Sequence, residues 1–225
     1  MKTSDAISLW LANHYMLLFN FFVFLYWAFA VAAPIFMNFG MRTPANLIYR
    51  AYSLTCHQLA FRSWFLFGEQ AAYPRASAGI EGYGTFEEKI GMASDDYFGA
   101  RDFNGNEKLG YKIALCQRDV AIYGGLFAFG IFFSFTKQKI PPLTWYLWIG
   151  LGVVPIGLDG ISQLISQIPI PFIQTIIPFR ESSPLLRTIT GLLFGISTAW
   201  FAYPVVEISM RDTREHLKRK EIRSA

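Results

Sequence analysis

Four long apolar stretches constrain this chain more than any other feature of its sequence. Each has the length of a membrane helix, which needs about 20 mostly apolar residues. The charged residues inside them are few: Arg118, Asp119, Asp159 and Glu207. The sequence therefore predicts an all-α membrane protein, one membrane domain over 1–225, whose transmembrane helices are 15–37, 113–135, 143–165 and 188–210.

Composition agrees with a membrane class and excludes one kind of partner. Hydrophobic residues make up 53% of the chain and charged residues 16%, whereas soluble domains carry about 25% charged residues. The net charge of +4 is small and scattered, without the basic face that nucleic-acid binding needs. The expected partner is the lipid bilayer, and no nucleic acid is expected.

Two segments between the first and second membrane helices differ in character. Thr43-Pro44 suits an N-cap followed by a first helical residue, so an interfacial or re-entrant helix is predicted over 45–67. Residues 69–110 are rich in glycine and turn dipeptides and predict an irregular outer loop without much core of its own. A proline-containing apolar run, 168–179, predicts a re-entrant or interfacial hairpin rather than a fifth span.

The distribution of lysine and arginine predicts the orientation. Lys137 and Lys139 lie between the second and third membrane helices, and the tail 211–225 is basic. Short basic segments stay on the cytoplasmic side. We therefore expect both termini to be cytoplasmic, in a prokaryotic-type plasma membrane, with 38–112 and 166–186 on the outer side.

Polar residues from four segments should meet at one membrane depth. Cys116, Arg118 and Asp119 lie in the first two turns predicted for the second membrane helix. With a rise of about 1.5 Å per residue, Asp159 lies about 24 Å along the third, near its outer end. The fourth membrane helix opens near Arg187, and the outer segment carries further polar residues: Cys56, His57 and Arg62. Intramembrane ionisable residues are functional candidates by default.

The cysteines leave three states open. Zinc accepts thiolate, imidazole and carboxylate ligands, which makes Cys56, His57, Cys116 and Asp119 candidate ligands of a metal ion such as zinc. Two cysteines on an oxidising side also predict a structural disulfide between Cys56 and Cys116. Free, packed thiols are the third state.

Arginines and one aspartate supply the remaining candidate chemistry. Arginine forks match carboxylate and phosphate groups, so a ligand site is predicted at Arg62, Arg118, Gln163, Arg180 and Arg187. Asp159 is the candidate catalytic base or proton carrier, with Tyr123 and Gln163 positioning; the alternative is an ion pair that fixes helix packing. The ligand classes considered are a metal, a quinone and a lipid head group.

Four motifs resemble a known family: Cys56-His57-Gln58 with Arg62-Ser63, Cys116-x-Arg118, Pro155-x-Gly157-x-Asp159-Gly160, and Arg180-Glu181-Ser182 followed by Arg187. In combination they are similar to the small membrane proteins of domain-of-unknown-function family 2085, over Tyr52 to Pro204 without the outer loop. The resemblance implies an integral membrane protein and no particular reaction. Many members have a second cysteine where this chain has Asp119, which favours a simple disulfide over a thiolate-rich metal site.

An alternative function needs no chemistry. The chain could be a non-catalytic subunit of a larger membrane complex, or a homo-oligomer, held by the outer loop and by aromatic residues of the first helix: Phe19, Phe21, Phe22, Phe24, Tyr26 and Trp27. Thiol–disulfide exchange is a third hypothesis, although the chain lacks a Cys-x-x-Cys pair.

Overall fold

The computed structural model describes residues 3–93 and 95–224. Within them, four helices have the length and apolar composition to cross a membrane: Thr3–Asn38, Gln117–Phe135, Trp145–Ser166 and Pro184–Ile222. The prediction of an all-α membrane protein with four transmembrane helices is confirmed.

Helix α9 (Pro184–Ser224) lies at the centre of the bundle. It packs along α5 (Gln117–Phe135), and both contact α1 (Thr3–Asn38). The third membrane helix consists of α6 (Trp145–Trp148), a π-helical turn over Ile149–Val153 and α7 (Val154–Ser166), all packed on α9. The basic tail continues α9 as far as Ser224, and Ala225 lies outside the described residues.

Two glycines of α9 allow the close approach of α5. A Cβ at Gly191 would meet the carbonyl of Arg118, and one at Gly195 would overlap the carbonyl of Ile122. Small residues at a spacing of four commonly mark such helix contacts in membranes. A Cβ at Gly157 of α7, by contrast, would have nothing within 4 Å.

The predicted helix over 45–67 is wrong in its second half, and the second membrane helix begins later than predicted. Helix α2 (Arg42–Tyr52) is followed by a turn, a 3-10 turn at Ala60–Arg62 and strand β1 (Ser63–Leu66). Strand β3 (Gly110–Cys116) occupies the residues before α5 and pairs antiparallel with β1. A short apolar run is compatible with a strand as well as with a helix. Here the pairing of 63–66 with 110–116 makes both segments strands.

The segment expected to be an irregular loop is folded and has a hydrophobic core, which it shares with residues 59–65. It contains α3 (Phe86–Ile90), α4 (Tyr97–Asp102) and β2 (Gly105–Asn106), and β2 completes a sheet of order β1-β3-β2. Its core residues include Phe61, Phe65, Tyr73 and Phe86. We call residues 39–116 the cap, and the end of the bundle where α1 ends and α5 and α9 begin the cap end.

Two further predictions concern the apolar surface. The proline-containing run 168–179 holds a short helix at the cap end, α8 (Pro171–Ile176).

The aromatic residues of α1 do not form one common surface. Phe21, Phe22 and Phe24 are exposed, but Tyr26 packs against Tyr52, and Trp27 donates a hydrogen bond to the carbonyl of Val120.

Candidate functional site

A cavity of about 260 Å³ opens at the cap end between the cap and the start of α5. Eight of its lining residues are candidates from the sequence: Cys56, His57, Arg62, Cys116, Arg118, Asp119, Gln163 and Arg187. The other three are Thr55, Gln58 and Leu59. Leu59 is the one aliphatic side chain among these described lining residues, and the others have polar, charged or thiol groups.

The turn that carries Cys56 and His57 is held by the residue after them. Gln58 is buried and adopts the left-handed conformation, with φ of 52°, which costs free energy for a residue other than glycine. Its side-chain amide donates to the carbonyl of Tyr49 at 2.9 Å, and its own carbonyl accepts from Nζ of Lys112 at 2.8 Å. These two bonds fix the turn against α2 and β3.

Cys56, Cys116 and Asp119 form a compact group of metal-ligating atoms. Their sulfur and carboxylate atoms all lie within 4.8 Å of one another, and the backbone N–H of Cys116 donates to Sγ of Cys56 at 3.3 Å. The two cysteines are free thiols in this structure, so the predicted disulfide is not formed here. His57 is exposed and lines the same cavity without being part of this group.

The two thiols share one hydrogen bond, and this separates their acidities. Donation from the Cys116 thiol lowers the pKa of Cys56, although burial and the nearby Asp119 oppose the shift. The same bond, together with burial, raises the pKa of Cys116 well above its ordinary value. Cys56 is therefore the sulfur that carries a thiolate first. A thiolate is the form of cysteine that binds metals and acts as a nucleophile.

Glu181 is the common ion-pair partner of several arginines, two of which line the cavity. Its buried carboxylate accepts from Nε of Arg62 at 2.9 Å and from Arg187, and it pairs with Arg75 at 3.5 Å. The amides of Gln163 and Gln167 donate to it at 2.9 Å each. Burial would raise the pKa of Glu181, but Arg62 and Arg187 outweigh burial and lower that pKa below its ordinary value.

Asp159 belongs to a second ion-pair cluster behind the cavity wall. It accepts from Arg118 at 2.5 Å and from Arg180 at 2.8 Å, and its side chain is 2% exposed. The described cavity lining contains Arg118 but neither Asp159 nor Arg180. In this structure Asp159 orients Arg118 and is screened from the cavity by it.

The remaining candidate and two unforeseen residues complete the site. Tyr123 lies outside the cavity lining and packs its ring 4.5 Å from that of Tyr26. Sequence reasoning did not single out the role of Glu181 or of Arg75. Glu181 is the middle residue of the Arg180-Glu181-Ser182 motif. A carboxylate there could have been predicted to pair with the arginines that were expected at the same membrane depth. Arg75 gave no such signal, because its partner is 106 residues away.

These features define a class: a polytopic α-helical membrane protein with a charged, thiol-containing cavity under a folded cap. The model of the family described as predicted membrane protein (DUF2085) matches residues 107–201, so the resemblance inferred from the motifs is confirmed over that range. The match includes Cys116, Arg118, Asp159 and Arg187, and the Cys56-His57 turn precedes it. An uncharacterized protein of Methanocaldococcus jannaschii is 28% identical over 162 residues, 70% of this chain and 67% of that protein. No solved structure gives a significant match.

Proposed function

We propose that this membrane protein binds a transition-metal ion, with zinc the best chemical fit, through Cys56, Cys116 and Asp119. The observation that supports the proposal is the grouping of two thiols and a carboxylate within 4.8 Å of one another, facing a cavity. Zinc takes thiolate and carboxylate ligands together, usually four in tetrahedral geometry. Three ligands from the chain leave one position for another group.

The fourth position decides between a structural and a reactive metal. His57 follows Cys56 directly and lines the cavity, so its imidazole is one candidate for closing the site. Without it, a bound zinc would keep an open position, as catalytic zinc sites do, and would supply a Lewis acid there. The chain's own part is then to hold a substrate beside the metal, and the arginines of the same cavity suit an anionic one.

The charged wall favours a metal or an anionic head group over a quinone. A quinone ring needs apolar contacts around its faces, and Leu59 is the one aliphatic residue of the described lining. We place the site at the outer membrane face, because the basic segments 137–139 and 211–220 lie at the opposite end of the bundle and basic segments stay in the cytoplasm.

Metal content tests the proposal directly. The protein is purified in mild detergent with reductant and without chelators, and bound metals are measured by elemental analysis and by the absorption of the Co²⁺-loaded form. We expect one metal per chain and a thiolate-to-cobalt band, both lost in C56S, C116S and D119N. D95N, which changes an exposed carboxylate of the cap, is the matched control and should keep both. Reduced wild-type protein that retains no zinc or cobalt would overturn the proposal.

The proximity of the two sulfurs also supports a second candidate, a structural disulfide in a non-catalytic protein. Joining Cys56 to Cys116 would close a loop of about 60 residues and contribute ~4 kcal/mol. Thiol counting before and after reduction separates the two functions. Quantitative oxidation of the pair in protein taken directly from membranes, without metal, would select the disulfide.

A further inference from the structure

We infer that the arginine wall of this cavity binds a phosphate group, either as a free phosphate species or as the head group of a phospholipid. The inference deepens the proposed function and rests on it, because it names the ligand that would sit beside the metal. Its first support is charge. Glu181 binds Arg62 and Arg187, among others, and Asp159 binds two further arginines, Arg118 and Arg180.

The network therefore holds more positive than negative charge in a half-buried place. The two carboxylates are 1% and 2% exposed, and Arg187 is 3% exposed. Charge that is buried without a counter-ion is destabilising, so an anion in the cavity would relieve the excess. Asp119, the one carboxylate in the described lining, lies beside the cysteines and belongs to the metal-ligating group.

The positions of the cavity arginines on three separate elements suit a tetrahedral anion. Arg62 comes from the 3-10 turn of the cap, Arg118 from the first turn of α5 and Arg187 from the first turn of α9. All three line one cavity. A carboxylate is planar and matches the arginine fork in one plane, whereas phosphate offers oxygens on several sides to donors from three elements.

One donor in this wall has no acceptor. Nε of Arg118 is buried and makes no hydrogen bond among the described residues, although the same guanidinium binds Asp159 through another nitrogen. A buried unmatched donor costs free energy, and an anion bound beside Arg118 would add an acceptor for this guanidinium. This orphaned atom is independent of the charge count and points to the same ligand.

Backbone dipoles and size agree with a small anion. The amino ends of α5 and α9, two long helices, lie where Arg118 and Arg187 line the cavity, and helix N-termini favour negative charge. The volume of about 260 Å³ is below the roughly 300–1,000 Å³ of pockets for drug-sized ligands. The cavity therefore accepts a phosphate head group and leaves any attached chains outside.

Protection of arginines from phenylglyoxal tests the inference. The protein is purified in micelles of a glycoside detergent, which contains no phosphate, and modification of Arg62 and Arg118 is followed by mass spectrometry. We expect inorganic phosphate to slow modification about fivefold at about four times its Kd, by mass action. The exposed Arg50 is the internal control and should react at an unchanged rate. Acetate at equal ionic strength tests for a carboxylate ligand instead.

Two conditions of the protection experiment distinguish a free phosphate from a lipid head group. Inorganic phosphate added to the glycoside micelles reports a free ligand, and phosphatidic acid added to the same micelles in phosphate-free buffer reports a lipid; protection in either arm supports the inference. Equal modification in all conditions, or protection by acetate alone, would overturn it. R118K keeps a charge for Asp159 but loses the fork, and should lower phosphate protection of Arg62 without changing metal content. R50K is its matched control.

Metal and phosphate binding fail separately in this design. Loss of zinc and cobalt binding with phosphate protection intact contradicts the proposed function and leaves the phosphate site standing. Metal binding without any protection by phosphate contradicts the phosphate site and leaves the proposed metal site standing. C116S protein, which lacks one ligand, should still show protection at Arg62 because its guanidinium is held by Glu181 rather than by the metal.

Discussion

Lys112 holds its amine almost without water at the base of the cap. Its side chain is fully buried, and Nζ donates to the carbonyls of Gln58 and Arg101. Burial lowers the pKa of Lys112 to about 7, although Asp102 acts in the opposite direction. Lys112 therefore connects the turn that carries Cys56 to α4, because it donates to one backbone carbonyl in each.

The depressed pKa of Lys112 predicts a pH-dependent stability of the cap. The unfolded chain keeps this lysine charged up to its ordinary pKa of 10.5, whereas the folded chain releases the proton near pH 7. Stability should therefore rise between about pH 7 and 10.5, by several kcal/mol for this group, and be flat below pH 7. Chemical unfolding in detergent at several pH values measures it. K112M should remove this dependence, and an unchanged slope in K112M would contradict the assignment.

Asp119 supplies the one oxygen ligand of the proposed metal site, beside two sulfur ligands. Two thiolates with a carboxylate bind zinc less tightly than three thiolates would, because soft ligands select this ion. We expect D119C to retain the metal with higher affinity, by about tenfold, equal to about 1.4 kcal/mol, and to intensify the cobalt–thiolate band. Competition with a chromophoric chelator measures the change. A weaker site in D119C would show that position 119 does not reach the metal.

At the scale of elements, one buried carboxylate adds an ionic link between the cap and the membrane helices. Glu181 lies in the segment before α9 and receives donors from the cap (Arg62) and from α7 (Gln163). Removing one partner of a buried ion pair leaves the other charge uncompensated. This is more costly than losing an exposed pair.

We therefore expect E181Q to lower the free energy of unfolding by about 3–5 kcal/mol, the range for breaking a buried ion pair. Unfolding in mixed micelles monitors the loss. E107Q, at an exposed position of the cap, is the matched control and should change stability by less than about 0.5 kcal/mol. Similar stabilities of the two variants would mean that Glu181 does not couple the cap to the bundle.

The contact between α5 and α9 depends on the absence of side chains. A Cβ at Gly195 would overlap the backbone of Ile122, whereas a Cβ at Gly150 would have nothing within 4 Å. We expect G195A to separate the helices and to cost about 1–3 kcal/mol, as overpacking does. G150A should be neutral. Thermal unfolding of both variants in the same detergent makes the comparison, and a neutral G195A would argue against the close contact.

For the whole molecule, orientation follows from charge and can be measured. The cap is predicted to be outside and the tail inside, so an impermeant maleimide added to intact cells should label S77C in the cap and leave K218C in the tail unlabelled. Mapping the labelled residue by mass spectrometry avoids removal of the native cysteines. Both positions are exposed, so burial cannot explain a difference. Labelling of K218C alone would reverse the orientation.

Association with other membrane subunits stays a prediction at this scale. The exposed Phe21, Phe22 and Phe24 of α1 are explained by lipid contact as well as by a partner helix. Native mass spectrometry from mild detergent would reveal a co-purifying subunit or a homo-oligomer.

The sequence alone determined the number of membrane helices and the convergence of the polar residues at one end of them. Both follow from local properties, since a run of about 20 apolar residues must form a helix in lipid and helix length sets the depth of each charge. Pairing between distant segments was decided by the tertiary structure. Ser63 opposite Cys116 makes 110–116 a strand, and Glu181 gathers arginines that lie as far as 119 residues away. Such contacts depend on which surfaces meet, and no local pattern of residue types contains that information.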